Sequence, residues 1–506
     1  MDTKTYEDLR LLLEEDGILV AAQGEGNPAV TGAACDSRDV RPGNIFCCKG
    51  AAFSPAYLTS AIEAGASCYL CDEAHAAELA EVAPGTPALV SSNVRRAMGL
   101  VSAEAWGRPD RSLPVVGITG TKGKSTVAYM LRGIIDGREP YAHAGVMGSI
   151  DTFDGIESFE SHNTTPEAPE MWRHIANARE AGLSHMVMEV SSQGLKYDRV
   201  LDLGLKVAVF LNIGRDHISP IEHPDYEDYF SSKLRIFEQA ETAVVNLDTD
   251  ELDRVLEASR AAERVVTFSA TNPEADYWAS DIKPGFGYIS FTAHAPTWEM
   301  GVMVGMSGLF NVDNALAAIA AADVLGIDRM QMADALAEAR VPGRMEIATG
   351  SNEHVVGIVD YAHNKLSFQR FFSSMAKEFP DRLVIAVFGA AGDKAQERRR
   401  ELPEEASKWA DLLIYTEEDP AHERVEDICA EMAANTPAGQ DHIVICDREK
   451  AIEYAVDVAV DSGRPSLVCL LAKGDETRQH VGDEYPEMVP DGDVFARAMM
   501  RRLTQD

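Results

Sequence analysis

The chain has 506 residues, 45% of them hydrophobic, and a formal net charge of −36. That length is too great for one core and sets about three domains; so acidic a balance excludes nucleic acid as a partner, because phosphate contacts need a basic face. No apolar run approaches the ~20 residues of a membrane span, and the opening Met1-Asp2-Thr3-Lys4 lacks the apolar core of a signal peptide, so no membrane insertion and a cytoplasmic location are expected.

In chain order, residues 1–112 read as a small N-terminal domain of short strands and helices, without a loop suited to nucleotide phosphates. Its Cys68 and Cys71 form a C-x-x-C, but Tyr69-Leu70 between them spell a strand. With no second pair, no metal site follows. The eight cysteines of the chain fit reduced thiols.

The second stretch, 113–340, opens on Pro114-Val115-Val116-Gly117-Ile118, which predicts a buried strand. Thr119-Gly120-Thr121-Lys122-Gly123-Lys124-Ser125-Thr126 follows, and then Val127, Met130, Leu131 and Ile134 recur at helical spacing. A strand, a glycine loop and a helix N-terminus present backbone N–H groups and a positive dipole end to a polyphosphate. Lys124 would reach the terminal phosphates and Ser125 would ligate Mg²⁺. The general pattern has glycine where this chain has Ile118, so the loop is a variant. Apolar runs at 185–190, 207–212 and 242–246 predict a parallel sheet covered on both faces.

The third stretch, 341–506, starts at Val341-Pro342-Gly343-Arg344. Runs at 355–360, 383–388, 412–416, 442–446 and 467–471 predict a second doubly wound unit without a phosphate loop of its own. The fold class is therefore α/β, with a central P-loop sheet domain, a C-terminal Rossmann-like domain and a smaller N-terminal α/β domain.

Polar residues at the C-terminal ends of the central strands mark where open α/β sheets bind ligands. Glu189 can hold Mg²⁺ beside the phosphate loop, although a lone glutamate there is as often a helix cap. His217, after the next strand, is a second metal ligand or a core histidine. Lys233 in Tyr229-Phe230-Ser231-Ser232-Lys233 lies on a helix near the same edge; spacing alone makes it a solvated surface charge. Arg398-Arg399-Arg400 is either a local anion pocket or a solvated helix turn.

Together these motifs resemble the Mur ligases, the cytoplasmic enzymes that build the peptidoglycan stem peptide. Gly117-Ile118-Thr119-Gly120-Thr121-Lys122-Gly123-Lys124-Ser125-Thr126 looks like their ATP loop. Asn163-Thr164-Thr165-Pro166, Glu189-Val190-Ser191-Ser192, Asp216-His217, Lys233, Asn311-Val312-Asp313-Asn314, Gly343-Arg344-Met345-Glu346 and Asp360-Tyr361-Ala362-His363 match in the same order. Asp36-Ser37-Arg38 with Arg41-Pro42-Gly43 resembles the N-terminal nucleotide-sugar motif. The resemblance covers all three domains. Asn-Thr-Thr-Pro with Glu-Val-Ser-Ser points to the member that adds a diamino acid to UDP-N-acetylmuramoyl-L-alanyl-D-glutamate.

The resemblance implies ATP and Mg²⁺ as cofactors. Gly120, Thr121, Lys122, Gly123, Lys124, Ser125 and Thr126 would hold the ATP phosphates. Ser125 and Glu189 would hold one Mg²⁺, and His217 with a carbamylated Lys233 a second. Asn311, Asn314, Arg344 and Asp360 would contact adenine, ribose and phosphates. Ser37 would touch the uridine part, and Asn163, Thr164, Thr165, Ser191 and Arg199 the muramoyl dipeptide. Tyr197 and Gln193 depart from the family's usual Gln and His. The partners expected are small-molecule substrates, and the protein is expected to be a monomer.

For the amino acid, members adding meso-diaminopimelate carry Asp-Asn-Pro-Arg where this chain has Glu418-Asp419-Pro420-Ala421. Alanine cannot pair bidentately with a distal carboxylate, whereas two acids suit an ammonium group. Arg399 would take the α-carboxylate, and Glu418, Asp419 and Glu476 are candidates for the amines; Ala472-Lys473-Gly474-Asp475-Glu476 departs from the family's Gly-Lys-Gly-His-Glu. L-Lysine is favoured, with ornithine and meso-diaminopimelate as alternatives. A folylpolyglutamate-synthetase-like ligase shares the loop but fits Asn-Thr-Thr-Pro poorly. A non-catalytic nucleotide-binding protein would be expected to lose Lys124, Glu189, His217 or Lys233, and all are present.

Overall fold

The computed structural model describes residues 3–50, 53–137, 143–216, 218–219 and 222–504. They are α/β throughout, in two compact units: Met1–Trp278 with Leu316–Met332, and Ala279–Ala315 with Ala333–Asp506.

In the first unit, five short strands form a sheet in the order Leu19–Gln23, Ala88–Ser91, Cys68–Asp72, Asn44–Cys47, Gly32–Ala34. Cys68 and Cys71 lie in one of these strands, as the residues between them predict, and both are buried. The central sheet carries the parallel order Ala144–Met147, His185–Glu189, Val115–Thr119, Leu205–Phe210, Ala240–Asn246, Arg264–Ser269. All but Arg264–Ser269 are almost wholly buried, which is why they read as continuous apolar runs rather than alternating ones. Trp172, Phe210, Phe230 and Phe237 anchor the core beneath them. Each such side chain contributes roughly 1.5–3 kcal/mol by leaving water.

The chain runs from Val115–Thr119 to strands on one side of it, then crosses to Leu205–Phe210 on the other. The order reverses at Val115–Thr119, so the crevice at its C-terminal end is the topological switch point where such sheets bind ligands. The helix Val94–Ala105 packs on Ala168–Glu180. The Arg95 guanidinium lies 4.4 Å over the Tyr197 ring, a further contact from the N-terminal sheet's helix to the central sheet.

The second unit holds a six-stranded sheet in the order Glu346–Ile347, Val355–Asp360, Ser466–Leu471, Leu383–Phe388, Leu412–Tyr415, His442–Val444. All but the first pair are parallel. Helices cover both faces, giving separate apolar layers around Phe368, Phe372 and Tyr415 and around Ile452, Val456 and Phe495. The strand expected over 207–212 lies at Leu205–Phe210, so Asn212 falls in the loop beyond it. The strand expected over 442–446 ends at Val444. Among the described residues no helix is long and apolar enough to cross a membrane.

Candidate active site

The phosphate loop joins the strand Val115–Thr119 to the helix Lys124–Asp136. Gly123 caps that helix with φ 94°, a conformation that costs a residue with a side chain about 1 kcal/mol or more. A Cβ on Gly120 would stand 2.9 Å from Leu211 Cβ, so only glycine lets the loop approach the neighbouring strand end. Asn212 braces the loop: its Oδ1 accepts from Lys122 N (2.9 Å), its Nδ2 donates to Lys122 O (2.9 Å), and its carbonyl accepts from Thr121 N (2.9 Å). The Thr121 hydroxyl bonds the Tyr229 hydroxyl at 3.0 Å. Thr121 is therefore built into the loop's support, while the first-turn amides of Lys124, Ser125 and Thr126 are ones the helix itself cannot satisfy. The Ser125 hydroxyl makes no hydrogen bond to any described residue, although the side chain is buried.

Lys233 is the most telling side chain. The helix Tyr226–Leu234 places Tyr229 and Lys233 on one face at i, i+4, and both are fully buried. Lys233 Nζ donates to Gly120 O at 2.9 Å, and Lys124 Nζ donates to the same carbonyl at 3.1 Å. Burial, and then the Lys124 charge, hold the Lys233 amine well below the usual lysine range despite the attraction of Asp216. Asp216 pairs with Lys122 at 3.2 Å. The structure thus corrects the surface-charge reading that spacing favours for Lys233: the helix face carrying it points into the loop, not into water. His217 lies outside the described residues.

Glu189 ends its strand beside Ile118. Its Oε1 accepts from Ser149 N at 2.8 Å and its Oε2 from Ser149 Oγ at 3.3 Å. It is a buried carboxylate aimed at the loop side of the sheet rather than a helix cap. Ser149 Oγ also bonds Thr164 Oγ1 at 2.8 Å. Thr165 Oγ1 donates to Glu189 O (2.9 Å) and accepts from Ser191 N (2.9 Å), while Arg199 Nη1 donates to Thr165 O (2.9 Å). Thr164, Thr165, Glu189, Ser191 and Arg199 are therefore one connected set; Asn163 is exposed at its edge. Ser37 is half-buried after the strand Gly32–Ala34, between Asp36 and an exposed Arg38 that pair with each other.

In the second unit, Asn311 Nδ2 donates to Ser307 O (2.6 Å) and Asn314 Nδ2 to Asn311 Oδ1 (2.8 Å). Asp360 ends the strand Val355–Asp360 and accepts from the amides of Met345 (2.9 Å) and Ala362 (2.8 Å). The Arg344 guanidinium lies 4.5 Å over the Tyr361 ring.

The acids around Lys473 in the second unit differ among themselves. Lys473 is buried between Asp419 (Nζ to Oδ1, 2.8 Å) and Glu476, which both hold it. Glu418 has no such cation bonded to it: the residue is 7% exposed, and its Oε2 is buried without a hydrogen-bond partner among the described residues. Burial pushes the Glu418 carboxyl above the usual range, against the lowering effect of Arg398. Arg399 is bound by Glu423 (2.6 Å) and Glu431 (2.9 Å) at the start of the helix Arg398–Ala406.

Sequence reasoning missed Tyr229 and Ser149, and marked Asn212 only as a polar residue at a strand end, without its role in bracing the loop. Tyr229 carried a signal, because its i, i+4 relation to Lys233 is legible. The bonds of Asn212 to Lys122 and Thr121, and of Ser149 to Glu189, join residues remote in sequence and carried no signal of their own.

The Mur ligase middle domain family matches residues 118–322, and the Mur ligase glutamate ligase domain family matches residues 343–474. A UDP-N-acetylmuramyl-tripeptide synthetase of Lactobacillus delbrueckii subsp. bulgaricus is 34% identical over 97% of this chain and 98% of its own length. A UDP-N-acetylmuramoyl-L-alanyl-D-glutamate–L-lysine ligase of Enterococcus faecalis is 33% identical over 90% of this chain and 89% of its own. A solved UDP-N-acetylmuramoyl-L-alanyl-D-glutamate–2,6-diaminopimelate ligase shares the fold, with a TM-score of 0.65, 24% identity, and coverage of 94% of this chain and 96% of that one. With both domain families matched in order and relatives similar along nearly the whole chain, this protein belongs to the Mur ligase family.

Proposed function

We propose that the chain is a cytoplasmic ATP-dependent ligase that joins L-lysine to the D-glutamyl side-chain carboxylate of UDP-N-acetylmuramoyl-L-alanyl-D-glutamate. The domains would run 1–112 for the nucleotide sugar, 113–340 for ATP and 341–506 for the amino acid. The names of the relatives support the reaction. The observation that carries the choice of amino acid is Glu418: a buried carboxylate oxygen without a partner, in a loop with Ala421 where an arginine would be needed for a distal carboxylate. Leaving a buried carboxylate unpaired is costly, and an ammonium group removes the cost. Diaminopimelate would bring a second carboxylate into that acidic loop, where Ala421 stands in place of the arginine that would pair with it.

The donor set near the loop suits Mg²⁺: the unbonded Ser125 hydroxyl and the Glu189 carboxylate are hard oxygen ligands. Lys233 as an ammonium would repel a dication. Burial and its lysine neighbours favour the uncharged amine, which can add to CO₂, forming an N–C bond and releasing a proton, and so become a carboxylate-like ligand. Mg²⁺ held there by Ser125, Glu189, Lys233 and His217 would neutralise phosphate charge.

In the reaction, first-turn amides and Lys124 orient the γ-phosphoryl group and stabilise its charge. The D-glutamyl carboxylate attacks phosphorus, ADP departs, and an acyl phosphate forms. The lysine amine, having lost a proton, attacks the acyl carbon, and the tetrahedral oxyanion collapses with loss of phosphate. Positioning and charge neutralisation do most of the work. Thr164, Thr165, Ser191 and Arg199 would hold the muramoyl dipeptide, with Asn163 at its edge, and Ser37 the uridine. Asn311, Asn314, Arg344 and Asp360 would hold the nucleoside and phosphates of ATP. Arg399 would receive the α-carboxylate by exchanging Glu431, the more exposed of its two partners.

Phosphate release from ATP and Mg²⁺ with the nucleotide-sugar dipeptide is the test, run against L-lysine, L-ornithine, meso-diaminopimelate and no amino acid. Turnover dependent on lysine is expected. Turnover with diaminopimelate alone would keep the ligase and remove the reading of Glu418 and Ala421.

A further inference from the structure

Lys49 follows the strand Asn44–Cys47 of the N-terminal sheet, and Arg199 follows the short helix Ser192–Lys196 of the central sheet. Glu167 stands between them, with Oε2 2.9 Å from Lys49 Nζ and Oε1 3.0 Å from Arg199 Nη2. The side chains of Lys49 and Glu167 are 16% exposed and that of Arg199 is 15%. The trio is therefore largely withdrawn from water yet reachable from it.

Neither pair is aligned as a hydrogen bond. Glu167 Oε2 and Arg199 Nε are both buried without a hydrogen-bond partner among the described residues. Glu167 thus fixes two cations by charge alone while leaving N–H donors unspent. Arg199 is also tied through Thr165 to the carbonyl of Glu189, so the trio connects the N-terminal sheet to the strand end at the phosphate loop. Two cations on one carboxylate leave a local excess of positive charge in a chain whose net charge is −36. A purely structural ion pair between two sheets would need only one cation, and would gain from hydrogen-bond alignment.

We infer that Lys49 is a further binding residue for an anionic group of the acceptor nucleotide sugar, and that Glu167 is a positioning residue holding Lys49 and Arg199 at a common separation. This rests on the nucleotide-sugar ligase reading above. The acceptor offers two anions of this kind, a diphosphate and the carboxylates of its dipeptide. Either accepts from an ammonium and a guanidinium at once.

Steady-state kinetics of the full chain test it. Lys49→Met should raise KM for the nucleotide-sugar dipeptide by about tenfold or more while KM for ATP stays within about twofold. Lys49→Arg should restore most of the loss. Glu167→Gln should raise the same KM, and the double variant should show less than the product of the two single effects, because the residues act as a unit. Inhibition by UDP alone separates the two anions: weaker inhibition in Lys49→Met assigns the diphosphate, and unaltered inhibition assigns the dipeptide carboxylates. A KM for the nucleotide sugar unmoved in Lys49→Met, or a KM for ATP raised equally, would overturn the inference. Failure of the unsubstituted protein to use any nucleotide sugar would sink the parent reading first, and is seen before any variant is made.

Discussion

At the residue scale, the proposed chemistry turns on two buried ionisable groups, Lys233 and Glu418. Lys233 is withdrawn from water beside two other lysines, and its depressed amine is the property that carbamylation needs. Lys233→Ala should lower ligation by about 10³-fold or more, with circular dichroism unaltered; ligation near the unsubstituted rate would remove Lys233 from the site. Activity should also fall in CO₂-depleted buffer and return on adding bicarbonate, an effect absent from Lys233→Ala. Glu418 supplies a pH dependence. Its carboxyl is raised in the free protein, so an arriving ammonium must favour ionisation and release a proton. KM for lysine should therefore fall as pH rises through the raised Glu418 pKa and level off above it. Glu418→Gln should flatten that dependence and raise KM at neutral pH by about tenfold. An identical pH profile in the variant would assign the proton elsewhere.

At the element scale, strand ends and helix starts decide what meets at the switch point. The strand Ala144–Met147 lies beside His185–Glu189, and a Cβ added to Gly148, just past its end, would clash with Glu189 Oε1. Gly148→Ala should displace that carboxylate and weaken Mg²⁺-dependent ATP use while leaving the core packed; unchanged dependence on Mg²⁺ concentration would argue against Glu189 as a ligand. The helix Ala168–Glu180 is fixed by buried His174, whose Nδ1 stands 2.6 Å from Asp154 Oδ2 and whose pKa is raised by Asp154 and Glu170 against the opposing effect of burial. A raised histidine stabilises below its unfolded pKa of about 6.5 and loses that stabilisation as pH rises through its folded value. The melting difference between the unsubstituted protein and His174→Asn should accordingly be largest in acid and shrink on the alkaline side. A difference independent of pH would reduce His174 to a packing residue.

At the scale of the whole molecule, the two compact units have separate apolar cores. Thermal unfolding is expected in more than one transition, since cooperativity follows each core. ADP with Mg²⁺ should raise the transition of the unit carrying the phosphate loop, by about 2.7 kcal/mol of apparent stability at a hundredfold excess over Kd. Calorimetry checks both points; a single transition unmoved by ADP would contradict them.

The sequence alone determined the α/β class, the buried strands and the phosphate loop. Hydrophobic runs and glycine-lysine spacing are local properties, and the physics that reads them acts over a few residues. It also placed the acidic loop at Glu418 and Asp419, because an arginine's absence is visible in a string of letters. Spacing alone misjudged Lys233 as a surface charge, since whether a helical lysine faces water depends on what packs above it; only the family resemblance drew it to the site. The sequence could not separate Glu418 from Asp419 and Glu476, because only the fold brings Lys473 between the latter two and leaves Glu418 unpaired. Nor could it find the brace of Asn212 on the loop or the placement of Glu167 between Lys49 and Arg199. Those are distances between residues remote in sequence, and burial, charge pairing and pKa all follow from such distances.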